Sequence, residues 1–357
     1  MRRDRIWLAA SIALFAAAAW LMAWGDAPAP EQKPIEFPRH LRPPEWERME
    51  ARRTLALPPL PRTEAAGAAP APEREAPLRD PVLTALPAIE GRSAVVLEAN
   101  ALRHSPIGAL LVDCLLDDEE ERALLEEFRE KLGFDPLEDV DRIAWGGDGV
   151  AIVSGHFANV RWEELREDVV MEPWGERTRF LRSRESAEAI AVWDDQLLLI
   201  GRDRAALERT IDGLEGRAEV RPAIAEHETY GEIYGVLAAA EFARIVPEED
   251  GLRQIFLEAA ERIELHVDAS GDVAIAATVQ GEATEKVLDM GRSLGAALAL
   301  ARLDARARGE EKLVELLDHA RVETMGDRFD VELALPLALL EKHLREVCGQ
   351  PQAAKVE

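Results

Sequence analysis

The chain has 357 residues, a length that suits two domains or one large one, and 47% of them are hydrophobic although aromatics reach only 5%. Its formal charge of −26 resides in residues 91–357, which hold 31 basic and 57 acidic side chains. A surface of that sign repels nucleic acid phosphates and anionic lipid headgroups, which argues against nucleic acid and peripheral membrane partners and keeps the folded part soluble.

Arg2, Arg3 and Arg5 precede residues 6–24, nineteen positions without a charge. At 1.5 Å per residue such a helix spans a hydrocarbon core of about 30 Å. The arginines predict a cytoplasmic N-terminus, and Trp20 and Trp24 suit the far interface. The reading is an uncleaved anchor at 1–25 in an inner membrane; the alternative is a signal peptide cleaved at Ala23-Trp24-Gly25. Either way the remainder is exported, to a periplasmic location. No cysteine lies close enough to the segment to accept a lipid.

Residues 26–90 contain fourteen of the 21 prolines and one glycine, Gly67. Fixed φ and absent N–H groups oppose both helix and sheet, so this stretch reads as an extended, semi-rigid spacer. A short helix around Trp46 is its one exception.

From residue 91 the pattern turns to alternating strands and helices. A strand is expected at 93–98, one or two helices over 101–132, and a hairpin of 141–145 with 150–156 around Gly146-Gly147-Asp148-Gly149. A helix at 159–167 follows, then strands at 178–182, 189–193 and 196–201 and a helix at 205–214. The second part repeats the order: a strand at 231–237, helix over 238–260 broken near Pro247, and a hairpin of 262–267 with 273–279. Helices at 283–303 and 310–319, a hairpin of 321–325 with 328–335 and a helix at 337–347 complete it. Asp141-Arg-Ile143 aligns with Glu261-Arg-Ile263, and Val150-Ala-Ile152 with Val273-Ala-Ile275. The fold class is therefore α+β: two similar halves (strand-helix-hairpin-helix-hairpin-helix), at 91–218 and 219–350, with a tail at 351–357. The halves share a continuous sheet or pack face to face.

At Ser105-Pro-Ile-Gly108, Gly133-Phe-Asp-Pro136, Glu138-Asp-Val-Asp-Arg142 and Gly155-His-Phe157 the chain resembles a loose group of exported or membrane-anchored bacterial proteins with duplicated α+β domains. The resemblance covers residues 93–215 well and the second half weakly. It implies export and a duplicated domain and supplies no catalytic residue.

The one formal catalytic motif is Gly291-Arg-Ser293-Leu-Gly295, which matches the nucleophile elbow of serine hydrolases. Val287, Met290, Leu294, Ala297 and Ala301 run through it at helical spacing, so two glycines admitting a close neighbour is the structural alternative. Asp135, Glu138, Asp139 and Asp141 cluster without the spacing of a calcium loop, which favours turn capping over a cation site. His40, His104, His156, His227, His266, His319 and His343 show no ligand spacing. Trp145, Trp174 and Trp193 sit at strand ends, where they line a groove or pack. Cys114 and Cys348 leave a disulfide open, since sequence does not place two Cα atoms.

These features predict no catalytic, cofactor or metal residues and a non-enzymatic envelope module that binds or scaffolds another protein. The alternatives are a periplasmic hydrolase using Ser293 and an acidic divalent-cation-binding domain.

Overall fold

The computed structural model describes residues 79–348 apart from 118, 148, 165–168, 183–188 and 245–251. The expected anchor, the spacer as far as residue 78 with Trp46, and the tail lie outside the described residues. Among those described, no helix is long and apolar enough to cross a membrane.

The strands are β1 Ala94–Leu97, β2 Val140–Trp145, β3 Ala151–Gly155, β4 Val170–Trp174, β5 Thr178–Arg182, β6 Ala189–Trp193, β7 Leu197–Gly201, β8 Ile233–Ala238, β9 Arg262–Asp268, β10 Val273–Gln280, β11 Ala320–Met325 and β12 Arg328–Leu335. They form one antiparallel sheet in the order β11-β12-β10-β9-β8-β1-β2-β3-β7-β6-β5-β4. The helices are α1 Pro81–Thr84, α2 Ala99–Arg103, α3 Pro106–Asp117, α4 Glu119–Leu132, α5 Arg204–Leu214, α6 Ala239–Phe242, α7 Leu252–Ala259, α8 Thr284–Arg308, α9 Glu311–Asp318 and α10 Leu337–Cys348. Mixed helices around a large antiparallel sheet make the fold α+β, and β1 and β8 join its two sides with Val96 opposite Tyr234.

Different faces of the sheet are covered along its length. On one side Val96, Ala144, Ile152, Leu197, Leu199 and Trp193 lie beneath α1 and α5, where Leu86, Leu207 and Ile211 are fully covered. Each such side chain contributes about 1.5–3 kcal/mol. On this first side Leu181 and Val192 of the far face also pack, with Phe157 and Trp162. Across β9–β12 the opposite face is covered instead: Ile263, Val279 and Phe329 pack with Val287 and Met290 of α8. The register puts Glu264, Thr278, Asp330 and Glu332 on the uncovered face of these strands. One solvated face is ordinary for an antiparallel sheet.

Several elements depart from expectation. Composition extends the spacer to residue 90, yet Val82, Leu83, Ala85 and Leu86 are core residues. Asp80-Pro81 starts a helix there: the Asp80 carboxylate accepts from the Val82 and Leu83 N–H groups, and Pro81 occupies the first helical turn. The 101–132 helix is three helices, because Ser105-Pro106 begins a new one. The helix expected at 159–167 is a 3-10 turn at Trp162–Glu164 within the described residues. The sequence predicts no strand at β4, because Glu172 and Pro173 interrupt its apolar alternation; its edge position tolerates a residue without an N–H.

Candidate functional site

Asp80, Glu98, Arg142 and Glu232 are buried polar groups near where β1, β2 and β8 meet. Arg142 is an inward position of β2, and its Nη1 donates to Asp80 Oδ2 at 2.7 Å with both side chains about 5% exposed (5% and 6%). Tyr234 on β8 donates its hydroxyl to Glu98 Oε1 at 2.7 Å. Burial alone lowers the Arg142 pKa, but the charges of Asp80 and Glu98 outweigh it and hold the guanidinium above its ordinary value. Glu232, also buried, accepts from the Ala269 N–H at 2.6 Å, while its carbonyl accepts from the Glu98 N–H. The cluster is buried, acceptor-rich and ionically paired, an arrangement that ties β1, β2 and β8 together.

Beside Tyr234, His266 on β9 stacks on Tyr230 with ring centroids 3.7 Å apart and planes 6° from parallel. Burial pushes the imidazole down to about 4, so it stays neutral near pH 7. Burial also raises the Tyr230 hydroxyl, reinforced by Glu264, Glu228 and Asp330 nearby. Arg262 pairs with Glu228 and Glu264, each at 3.3 Å, and Arg321 with Glu323 at 2.9 Å and Glu332 at 3.3 Å. Nothing in the sequence pattern marks this stack, since Tyr230 lies in a connector and His266 within a strand.

The Ser293 motif lies inside α8, well past the end of β10 at Gln280. Ser293 is exposed on the middle of the helix, not on a strand-to-helix turn. Gly291 has a packing role: a Cβ there would stand 2.8 Å from Cβ and Cγ of Phe329. Gly295 has more room, its nearest neighbour being Val322 Cβ at 3.8 Å.

The acidic cluster forms a turn. Asp139 Oδ2 accepts from the Asp135 N–H at 2.8 Å, Asp135 Oδ1 from the Leu137 N–H at 3.0 Å, and Arg129 donates to Asp135 Oδ2 at 2.7 Å. Asp141 is half-buried on β2, and burial raises its pKa. Among the described residues no group of three or more His, Cys, Asp or Glu side chains is placed to hold a metal ion. His104 bonds the Asn100 carbonyl at 2.7 Å, His156 and His227 are exposed, and His319 is buried. His40 and the side chain of His343 lie outside the described residues.

The tryptophans divide. Trp193 is buried with Arg177 over its ring at 4.6 Å, and Trp174 packs edge-on to Phe180 at 5.8 Å beneath Arg204. Trp145 is 41% exposed at the end of β2. Residues of the quoted phrases also have packing roles. The Ser105 hydroxyl accepts from the Gly108 N–H at 3.0 Å and donates to the Leu102 carbonyl at 2.7 Å. A Cβ at Gly108 would meet that same carbonyl oxygen at 1.7 Å.

Neither a protein-family model nor a curated protein sequence matches the chain. Among solved structures, crystal form I of TP0453 is similar at 8% identity and a TM-score of 0.40, over 74% of this chain and 96% of that one. A likeness at that level carries no argument about fold or activity.

Proposed function

We propose that the chain is a non-enzymatic, membrane-tethered envelope protein: residues 6–24 anchor it, the proline-rich segment spaces it, and the α+β region binds or scaffolds another protein. The supporting observation is how the end of the spacer is seated. Asp80 pairs with Arg142 inside the core, α1 lies in the main apolar cluster, and the Ala88 N–H donates to the Arg221 carbonyl at 2.8 Å. Tension along the spacer would reach the centre of the sheet instead of a loose loop, which suits a module that holds a partner at a set distance from its anchor.

The two halves at 91–218 and 219–350 read as products of duplication. Outward from the β1–β8 seam, the order β8-β9-β10-β12-β11 mirrors β1-β2-β3-β7-β6, with β5 and β4 appended to one side. The placement of Ser293 on a helix favours this non-enzymatic reading over the hydrolase. Photo-crosslinking in intact cells, read by mass spectrometry, should recover a second envelope protein attached to residues 79–348, from membrane fractions in which Met1 is intact. Loss of residues 1–25 from the mature protein overturns the anchor. Absence of any heterologous adduct across a panel of surface positions overturns the binding role.

A further inference from the structure

The two edges of the sheet are unlike. Edge strand β4 contains Pro173, which has no N–H to offer, and its Glu172 is held by Arg204 at 2.9 Å. Edge strand β11, Ala320-Arg-Val-Glu-Thr-Met325, has no proline, and among the described residues no strand pairs with its outer side. Unpaired strand edges are templates for another strand.

The hydrogen-bond phase of this edge is determined. The His319 carbonyl accepts from the Ala334 N–H at 3.1 Å, so the main chain of Arg321, Glu323 and Met325 faces β12. In an antiparallel ladder the alternate residues, Ala320, Val322 and Thr324, then direct N–H and C=O outward. Arg302 of α8 donates to the Ala320 carbonyl and places this stretch of the helix beside the edge. Leu300 and Leu303 flank Arg302 and are 66% and 61% exposed, and Met325 at the other end of the strand is 50% exposed.

We propose that β11 pairs with β11 of a second copy of this chain, antiparallel about a two-fold axis through Val322. That register is selected by charge. With Val322 opposite itself, its N–H and C=O exchange two hydrogen bonds with the partner copy. Arg321 then stands opposite Glu323 of the other copy, and Glu323 opposite Arg321, in the non-hydrogen-bonded pairs whose side chains approach most closely. A two-fold through Thr324 would set Glu323 against Met325 and leave Arg321 facing Asp327, which lies in the hairpin turn beyond the strand. The chosen register also sets Ala320 opposite Thr324, carrying the exposed Leu300 and Leu303 of one copy toward the Thr324–Met325 end of the other. The arrangement is isologous, so it closes as a dimer and does not propagate as a fibre. It is independent of whatever other protein the domain binds.

Sedimentation of the full-length chain in mild detergent tests it. The expected result is a monomer–dimer equilibrium. Glu323→Arg, which opposes like charges at two places, should raise the dissociation constant by about tenfold or more. The charge swap Arg321→Glu with Glu323→Arg should restore it. Should a charge variant fail to fold, Arg321→Cys with Glu323→Cys answers the question: oxidation should give a covalent dimer whose bridges map between position 321 of one copy and 323 of the other. A monomer up to about 100 μM, a dimer indifferent to Glu323→Arg, or bridges joining 321 to 321 overturns the proposal.

Discussion

Asp80 uses both carboxylate oxygens: Oδ1 accepts from the Val82 N–H at 2.9 Å while Oδ2 accepts from Arg142 Nη1 at 2.7 Å. One side chain therefore caps α1 and closes a buried ion pair. Removing one partner leaves the other charged and buried, which costs about 3–5 kcal/mol. Arg142→Met should lower the unfolding free energy in urea by about that amount. Asp80→Ala should lose the cap as well, a further ~1 kcal/mol. The double variant should lose much less than the sum, because it strands neither charge.

His266 makes stability depend on pH. Its folded value of about 4 lies below its ordinary value of 6.5, so the unfolded chain binds the proton more tightly. The contribution is fully present above pH ~6.5 and is lost as pH falls toward 4. Its size is about 3 kcal/mol as an upper bound. Midpoints of urea unfolding should drop across that interval. His266→Phe, which retains an aromatic ring against Tyr230, should flatten the drop; an unchanged profile in that variant assigns the dependence to other groups.

The two glycines of α8 should behave oppositely. Gly291→Ala drives a methyl group against Phe329 and Thr324 and should cost about 1–3 kcal/mol, as overpacking does. Gly295→Ala meets only an ordinary contact with Val322 and should stabilise the helix by about 0.5–1 kcal/mol. Ser293→Ala should fall within about 0.5 kcal/mol of the parent. Thermal melts of the three variants settle the order, and labelling with a serine-directed phosphonate should leave Ser293 unmodified.

Cys114 is disulfide-bonded, the chain has two cysteines, and α3 packs against α10, the helix that ends at Cys348. The bridge should show as a mobility shift between reduced and non-reduced gels. Cys114→Ser should abolish the shift and lower stability by about 2–4 kcal/mol.

Much of the strand order was legible in the residues because hairpins announce themselves. Gly146–Gly149 and Asp194-Asp195 separate apolar alternations of the right length, and each joins neighbouring strands. Asp194 and Asp195 even adopt φ of 52° and 55°, as such turns require. The sequence sets Arg142 and Arg262 in like contexts, yet the first is buried with Asp80 while the second is partly exposed on an open face. That difference comes from long-range packing: α1 and α5 cover one side, α8 covers the opposite face on the other, and no local pattern encodes which. The membership of residues 80–87 in the core was hidden by prolines, whose composition reads as spacer even where Pro81 starts a helix. The Tyr230–His266 stack was equally invisible, because it needs two positions 36 residues apart brought together by the sheet.

The seating of residues 86–88 against 221–223 bears on the order in which the chain can assemble. The Ala223 N–H donates to the Leu86 carbonyl at 2.9 Å, and Pro87 bridges Pro222. These partners are separated by more than a hundred residues, and β1 itself waits for β8, its neighbour on one side. Non-local closures of this kind form slowly, since loop entropy is lost before contacts accrue. During synthesis from the N-terminus, residues 86–88 are thus made well before the partners that lock them. A chain halted before residue 221 can seat Asp80 on Arg142 and α1 against α5, but it lacks the strand-like partners of residues 86–88.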